Sequence, residues 1–271
     1  MFGASTGALQ GKPEVLDAVP MPVALARQLT GAERTAQGNR RLGLVLAGVA
    51  GALNAGGFLA VRQYTSHVTG TVSSVADNAV LGQWALVLDG VVGVLAFLLG
   101  AMACALLVNY ARRRRLHSQY AVALLVEAAL ILVFGLLGAQ LARNEALFIP
   151  ATVALLCFIM GLQNAVITKL SNAVIRTTHM TGIVTDLGIE LGKLVYVNRA
   201  PLEDDGPVLA DRARLQVLAG LLGCFLAGGI LGAYGFQQLG YVSTVPLAVV
   251  LAALALVPAW DDLQSRWGVQ P

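Results

Sequence analysis

The chain has 271 residues, of which 57% are hydrophobic and only 12% charged, and its mean hydropathy is +0.73. Soluble domains carry charge on about a quarter of their residues, so this composition excludes a soluble enzyme or binding module and indicates one polytopic, all-α integral membrane domain. The formal charge of +3 is too small to indicate a nucleic-acid partner. Cys104, Cys157 and Cys224 lie singly in apolar runs and suggest neither a disulfide framework nor a zinc site.

Residues 1–39 are polar, contain Pro13, Pro20 and Pro22, and lack the basic start and apolar core of a signal peptide. They read as a cytoplasmic tail. The first membrane repeat is expected over 40–143, the second over 144–260, and a cytoplasmic C-terminal tail over 261–271. The first span, Leu42 to Val61, carries no charge over 20 residues. At about 1.5 Å per residue it covers the hydrocarbon core. A polar segment follows to about Gly82, then apolar runs from Trp84 to Tyr110 and from Tyr120 to Leu141. The fourth span runs from Ala146 to Thr168, and a second polar segment extends to about Val197. After a hydrophilic loop from Asn198 to Arg214, the last two spans run from Leu215 to Phe236 and from Gly240 to Ala259.

The two polar segments carry one motif twice. Thr65-Ser66-His67-Val68-Thr69-Gly70 returns as Thr177-Thr178-His179-Met180-Thr181-Gly182, displaced by 112 residues. Upstream, Gly51, Asn54 and Ala55 return as Gly161, Asn164 and Ala165, displaced by 110. Such self-similarity predicts a two-fold internal repeat. Drawn as a helix, each copy sets hydroxyls four residues apart: Thr65, Thr69 and Ser73, and again Thr177, Thr181 and Thr185. Gly70 and Gly182 bare the adjoining stripe, where another backbone is expected to approach closely.

Basic residues set the topology. With six crossings and neither motif segment crossing, only Arg62 and Arg143 of 18 Lys and Arg residues face outward. Making each motif segment a crossing would export Arg112 to Arg115 while the N-terminus stays inside. The expectation is therefore six transmembrane helices as a 3+3 inverted repeat, each half with an extra short or re-entrant motif segment, and both termini cytoplasmic. Three crossings per repeat, an odd number, invert the second copy relative to the first.

The candidate pathway residues are His67, Thr69, Gly70, Ser73, His179, Thr181, Gly182, Thr185, Asn54 and Asn164. Imidazole titrates near neutral pH, and hydroxyls can replace a solute's hydration shell. Packing across the repeat axis is the competing reading of the same residues. Asp186, Glu190 and Lys193 share a helix face, either as a salt-bridged helix end or as a site of proton or ion coupling. Glu127, seven residues into the third span, must face a cavity, snorkel, pair or stay neutral, and is a further coupling candidate. No metal-ligand spacing stands out, and no cofactor is expected.

The stretches Leu53-Asn54-Ala55-Gly56-Gly57-Phe58, the Thr-Ser-His-Val-Thr-Gly run with Val72, Gly161-Leu162-Gln163-Asn164-Ala165, and Thr177 to Lys193 resemble the YoaK-like family, a domain-of-unknown-function group of bacterial multi-pass membrane proteins. The resemblance covers about residues 40 to 260 and implies a bacterial inner-membrane location and a permease role. It transfers no catalytic or binding residue. The expected function is a secondary transporter or channel for a small solute, with the lipid bilayer and that solute as partners. A non-transporting scaffold or sensor is the second reading. An intramembrane enzyme is the third, disfavoured because no nucleophile, base and metal constellation is recognisable.

Overall fold

Each apolar run folds as helix, as does the later part of each motif segment, which satisfies backbone N–H and C=O groups internally, as hydrocarbon demands. The computed structural model describes residues 36–61, 63–114, 116, 119–140, 145–170, 180–198 and 207–266. The N-terminal tail before residue 36, the turn at Arg143, the stretch Thr177 to His179 and the acidic cluster Glu203 to Asp205 lie outside the described residues. In chain order the helices are α1 (Ala36–Val61), α2 (Val68–Val80), α3 (Trp84–Arg113), α4 (Ala121–Gln140), α5 (Glu145–Leu170), α6 (Met180–Val195), α7 (Arg212–Leu239) and α8 (Thr244–Arg266). A 3₁₀ turn, Gly240–Ser243, joins the last two, and there is no strand among the described residues.

Among the described residues five stretches are long and apolar enough to cross a membrane: Gln37–Leu59, Trp84–Arg113, Ala121–Ala139, Ile149–Lys169 and Arg212–Leu256. By length and composition the chain is a multi-pass membrane protein. The last stretch has 45 residues and takes in α7, the 3₁₀ turn and most of α8. Gly240 breaks it with a φ of +59°, and its N–H still reaches the Phe236 carbonyl. Phe236 and Tyr241 then meet edge to face at 6.3 Å, and Phe134 of α4 lies 6.1 and 5.9 Å from the two rings. This aromatic cluster seats the turn against α4. The motif helices α2 and α6 have 13 and 16 residues. At roughly 20 and 24 Å they are shorter than the hydrocarbon core.

The packing repeats as the sequence does. α1 lies along α7, and α5 lies along α3. A Cβ added at Gly51 would run into the Phe225 carbonyl, and one added at Gly161 into the Phe97 carbonyl. A Cβ at Gly228 would meet the Gly48 carbonyl, and one at Gly100 the Phe158 carbonyl. Both sets are related by the same displacements, 110 residues on α1 and α5, and 128 on α3 and α7. Helices embedded in lipid gain little from apolar burial against one another, so close backbone approach through small residues supplies the attraction. The two seams use equivalent faces of α1 and α5, and α1 also touches α5. α2 folds back on α3 through a tight turn in which Gly82 has a φ of +70°, and α6 packs on α7.

Candidate functional site

The first motif copy is held by contacts to the end of α1. Ser66 Oγ donates to Asn54 Oδ1 at 2.8 Å, and Tyr64 stacks on Phe58 with centroids 4.5 Å apart. These contacts keep Thr65 to His67 out of helix. α2 starts only at Val68, with His67 as the residue before it (φ −91°, ψ 65°) and its carbonyl accepting from the Thr71 backbone N–H and hydroxyl. In the second copy Met180 to Val195 are helical, and Thr177 to His179 lie outside the described residues. The expected hydroxyl stripe is therefore cut short in the first copy: Thr65 is buried in the turn, and only Thr69 and Ser73 keep helical spacing.

The turn opens onto a cavity of about 480 Å³. Its walls come from both halves in corresponding pairs. Asn54 of α1 faces it with Asn164 of α5, and Phe97 of α3 with Phe225 of α7. Val68 and Thr69 at the start of α2 correspond to Met180 and Thr181 at the start of α6. Tyr64, Ser66 and His67 complete the described lining. The Asn54 carboxamide oxygen is engaged by Ser66, whereas Asn164 Oδ1 is buried without a hydrogen-bond partner among the described residues. The cavity joins five of the expected pathway residues: Asn54, His67, Thr69, Asn164 and Thr181. His179 lies outside the described residues.

The other expected residues sit differently. Ser73 and Thr185 are exposed on their helices, and Thr185 Oγ1 donates to the Thr181 carbonyl of its own helix at 2.8 Å. Gly182 is half-buried and outside the cavity lining. Gly70 was expected to admit another backbone. Instead, the atoms nearest to a Cβ added there belong to the imidazole of His67. The glycine makes room for the motif's own histidine, because the turn brings that ring back over the first turn of α2.

Asp186 and Glu190 are held in ion pairs. Arg214 Nη2 donates to Asp186 Oδ2 at 2.9 Å, and Lys193 Nζ donates to Glu190 Oε1 at 2.9 Å. The Asp211 backbone N–H reaches Glu190 Oε2 at 2.9 Å, which ties the end of α6 to the start of α7. The Lys193 hydrogen bond first, then the Asp211 N–H, hold the Glu190 carboxyl below its ordinary range. Neither carboxylate lines the cavity. The sequence offered a salt-bridged helix end as one of two readings, and the geometry matches that reading. Asp211 also caps α7, accepting from the Arg214 N–H at 3.0 Å.

Glu127 is fully buried in α4, and both carboxylate oxygens lack a hydrogen-bond partner among the described residues. Gln163, adjacent to Asn164 on α5, is equally buried, with both amide atoms unpartnered among the described residues. Sequence reasoning missed the cavity residues Tyr64, Ser66, Phe97 and Phe225. The phenylalanines repeat at a displacement of 128, not 110 or 112, because the connections between elements differ in length. A search for the repeat with that offset left free would have paired them.

Among the described residues no group of three or more His, Cys, Asp or Glu side chains is placed to hold a metal ion. No curated protein and no solved structure shows a match to the chain. Residues 42–257 match the family described as Protein of unknown function (DUF1275), and the chain belongs to that family.

Proposed function

We propose that the chain is a transporter for a small solute in a bacterial inner membrane, with the cavity between the two motif segments as its binding site. In this reading the 45-residue stretch Arg212–Leu256 makes two crossings, giving six in a 3+3 inverted repeat with both termini cytoplasmic. The observation that carries it is the cavity lining: Asn54 with Asn164, Phe97 with Phe225 and Thr69 with Thr181 come from corresponding positions of the two halves. Inverted repeats that meet at a central site, with short or broken helices beside it, are a recurrent transporter architecture.

An asymmetry between corresponding helices supports a carrier over a static pore. α4 lies along α5, whereas the corresponding pair, α8 and α1, flank a second, apolar cavity of about 490 Å³. Val45, Val49 and Ala52 line it from α1, and Pro246 and Leu247 from α8. Exchanging the two arrangements would close this gap and open the α4–α5 seam, which is how one repeat rocks against another to expose a fixed site to each side in turn.

The test sets flux against stability on one preparation. Proteoliposomes are loaded with a mixture of small metabolites, and protein-dependent loss of each is followed by mass spectrometry. His67→Gln and Thr69→Val with Thr181→Val should melt near the wild-type temperature but lose that efflux. If the variants lose stability and no component of the mixture moves faster than through protein-free vesicles, the motif pair is structural and the scaffold reading replaces this one.

A further inference from the structure

Glu127 stands apart from the cavity, in the part of the fold that tolerates a carboxylate least. It lies seven residues into the third span, is fully buried, and lines neither cavity described above. Full burial leaves it no route to snorkel, and its two oxygens meet no hydrogen-bond partner among the described residues. A carboxylate ion there would be stripped of water with no donor among those residues in its place, so the carboxyl is held as the neutral acid.

The neighbours of Glu127 come from every element packed on α4. On α3, Cys104 continues the face of Phe97 and Gly100 and interacts electrostatically with both Glu127 and Lys169 of α5. The carboxyl therefore faces the side of α4 that α3 and α5 cover. Tyr241 of the 3₁₀ turn lies against Gly138, about three turns away. α8 runs antiparallel, with Thr244 against Gly135, which sets the buried Leu251 and Ala255 level with Glu127. Asp261 and Asp262 follow Ala255 by six and seven residues, and their side chains lie outside the described ones.

We propose that Glu127 is a proton-binding site that decides between the two helix arrangements. It keeps its proton while α4 and α5 are closed and yields it to water when their seam opens. The neutral acid follows from burial alone, whereas the opening rests on the transporter reading. In each cycle one proton leaves the carboxyl oxygen for water as the seam hydrates, and one returns from water before it closes. Protonation thus favours the arrangement seen here. Raising the pH favours the exchanged one, by up to about ten-fold per pH unit for a single proton.

Infrared spectra of the full chain in lipid films should show, at neutral pH, the C=O stretch that only a protonated carboxyl gives. Glu127→Gln and Glu127→Leu should lack it, yet melt near or above the wild type, because no ion pair is broken. Spin labels on cysteines replacing Val49 and Leu247, in a chain without the three native cysteines, then report the width of the apolar gap. The short-distance population should grow with pH, and Glu127→Gln should abolish that response. An absent carboxyl band overturns the proposal, as do variants that melt far below the parent, the mark of a lost ion pair. So does a gap of one width at every pH, or a pH response that survives Glu127→Gln. Efflux of metabolites from proteoliposomes separates the two readings. A gap that follows pH through Glu127 while nothing leaves the vesicles keeps the proton site and removes the transporter. Efflux with a pH profile unaltered in Glu127→Gln does the reverse.

Discussion

The glycine seams give the sharpest prediction, because one chemical change should act in opposite directions at two places. At Gly161 an added methyl falls on the Phe97 carbonyl, and at Gly51 on the Phe225 carbonyl, well inside van der Waals contact. Backbone stands on both sides, so no rotamer relieves the clash and the helix pair must separate. Overpacking of this kind costs about 1–3 kcal/mol. At Gly192, inside α6, an added Cβ meets nothing within 4 Å, and alanine is favoured over glycine in a helix by about 1 kcal/mol. The two Gly→Ala changes should therefore differ by about 2–4 kcal/mol, which for a chain of this size corresponds to roughly 5–15 °C in melting temperature. The assay is built in: Cys104 and Cys157 are free and buried, so a thiol-reactive fluorophore reports unfolding during a fixed heating ramp. Gly161→Ala and Gly51→Ala should melt below wild type, and Gly192→Ala at or above it. If Gly161→Ala and Gly192→Ala melt together, the backbone contact does not hold these helices, and the seam argument fails.

In a background lacking the three native cysteines, a single cysteine at Arg143 should react with an impermeant reagent from outside, and one at Arg113 should not; labelling at Arg113 would overturn the six-crossing topology. Because the folded Glu190 carboxyl titrates below its ordinary value, its bonds to Lys193 and to the Asp211 N–H should stabilise the protein above the ordinary carboxylate range and fade as pH falls through the lowered value. Melting temperatures of wild type and Glu190→Gln should converge there, and a constant gap across the acid range would refute the linkage. Val49 of α1 and Leu247 of α8 both line the apolar gap, so cysteines placed there in the same background should cross-link if α8 closes on α1; failure with both short and long cross-linkers would remove the alternating arrangement.

Much of the architecture was readable in the chain. The paucity of charge identifies a membrane protein, because hydrocarbon tolerates few ions, and the first four apolar runs mark candidate spans to within about five residues, while the last two fall within the one stretch Arg212–Leu256. The repeated Gly-x-x-N-A and His-x-Thr-Gly anchors placed Asn54, His67, Thr69, Asn164 and Thr181 among the candidates, and these line one cavity. Helical periodicity, however, gives only the direction in which a side chain leaves its own helix. It carries no information on which distant backbone lies there. That Ser66 reaches Asn54 and so delays α2 until Val68, that Gly70 accommodates His67, and that Arg214 neutralises Asp186 from 28 residues away are consequences of which helices pack together. The packing is chosen by close approach at Gly51, Gly161, Gly100 and Gly228, contacts between residues more than 50 positions apart. Local pattern determined the parts and their two-fold recurrence. Only the non-local backbone contacts brought Phe97 and Phe225 to the cavity and left Asp186 and Glu190 outside it.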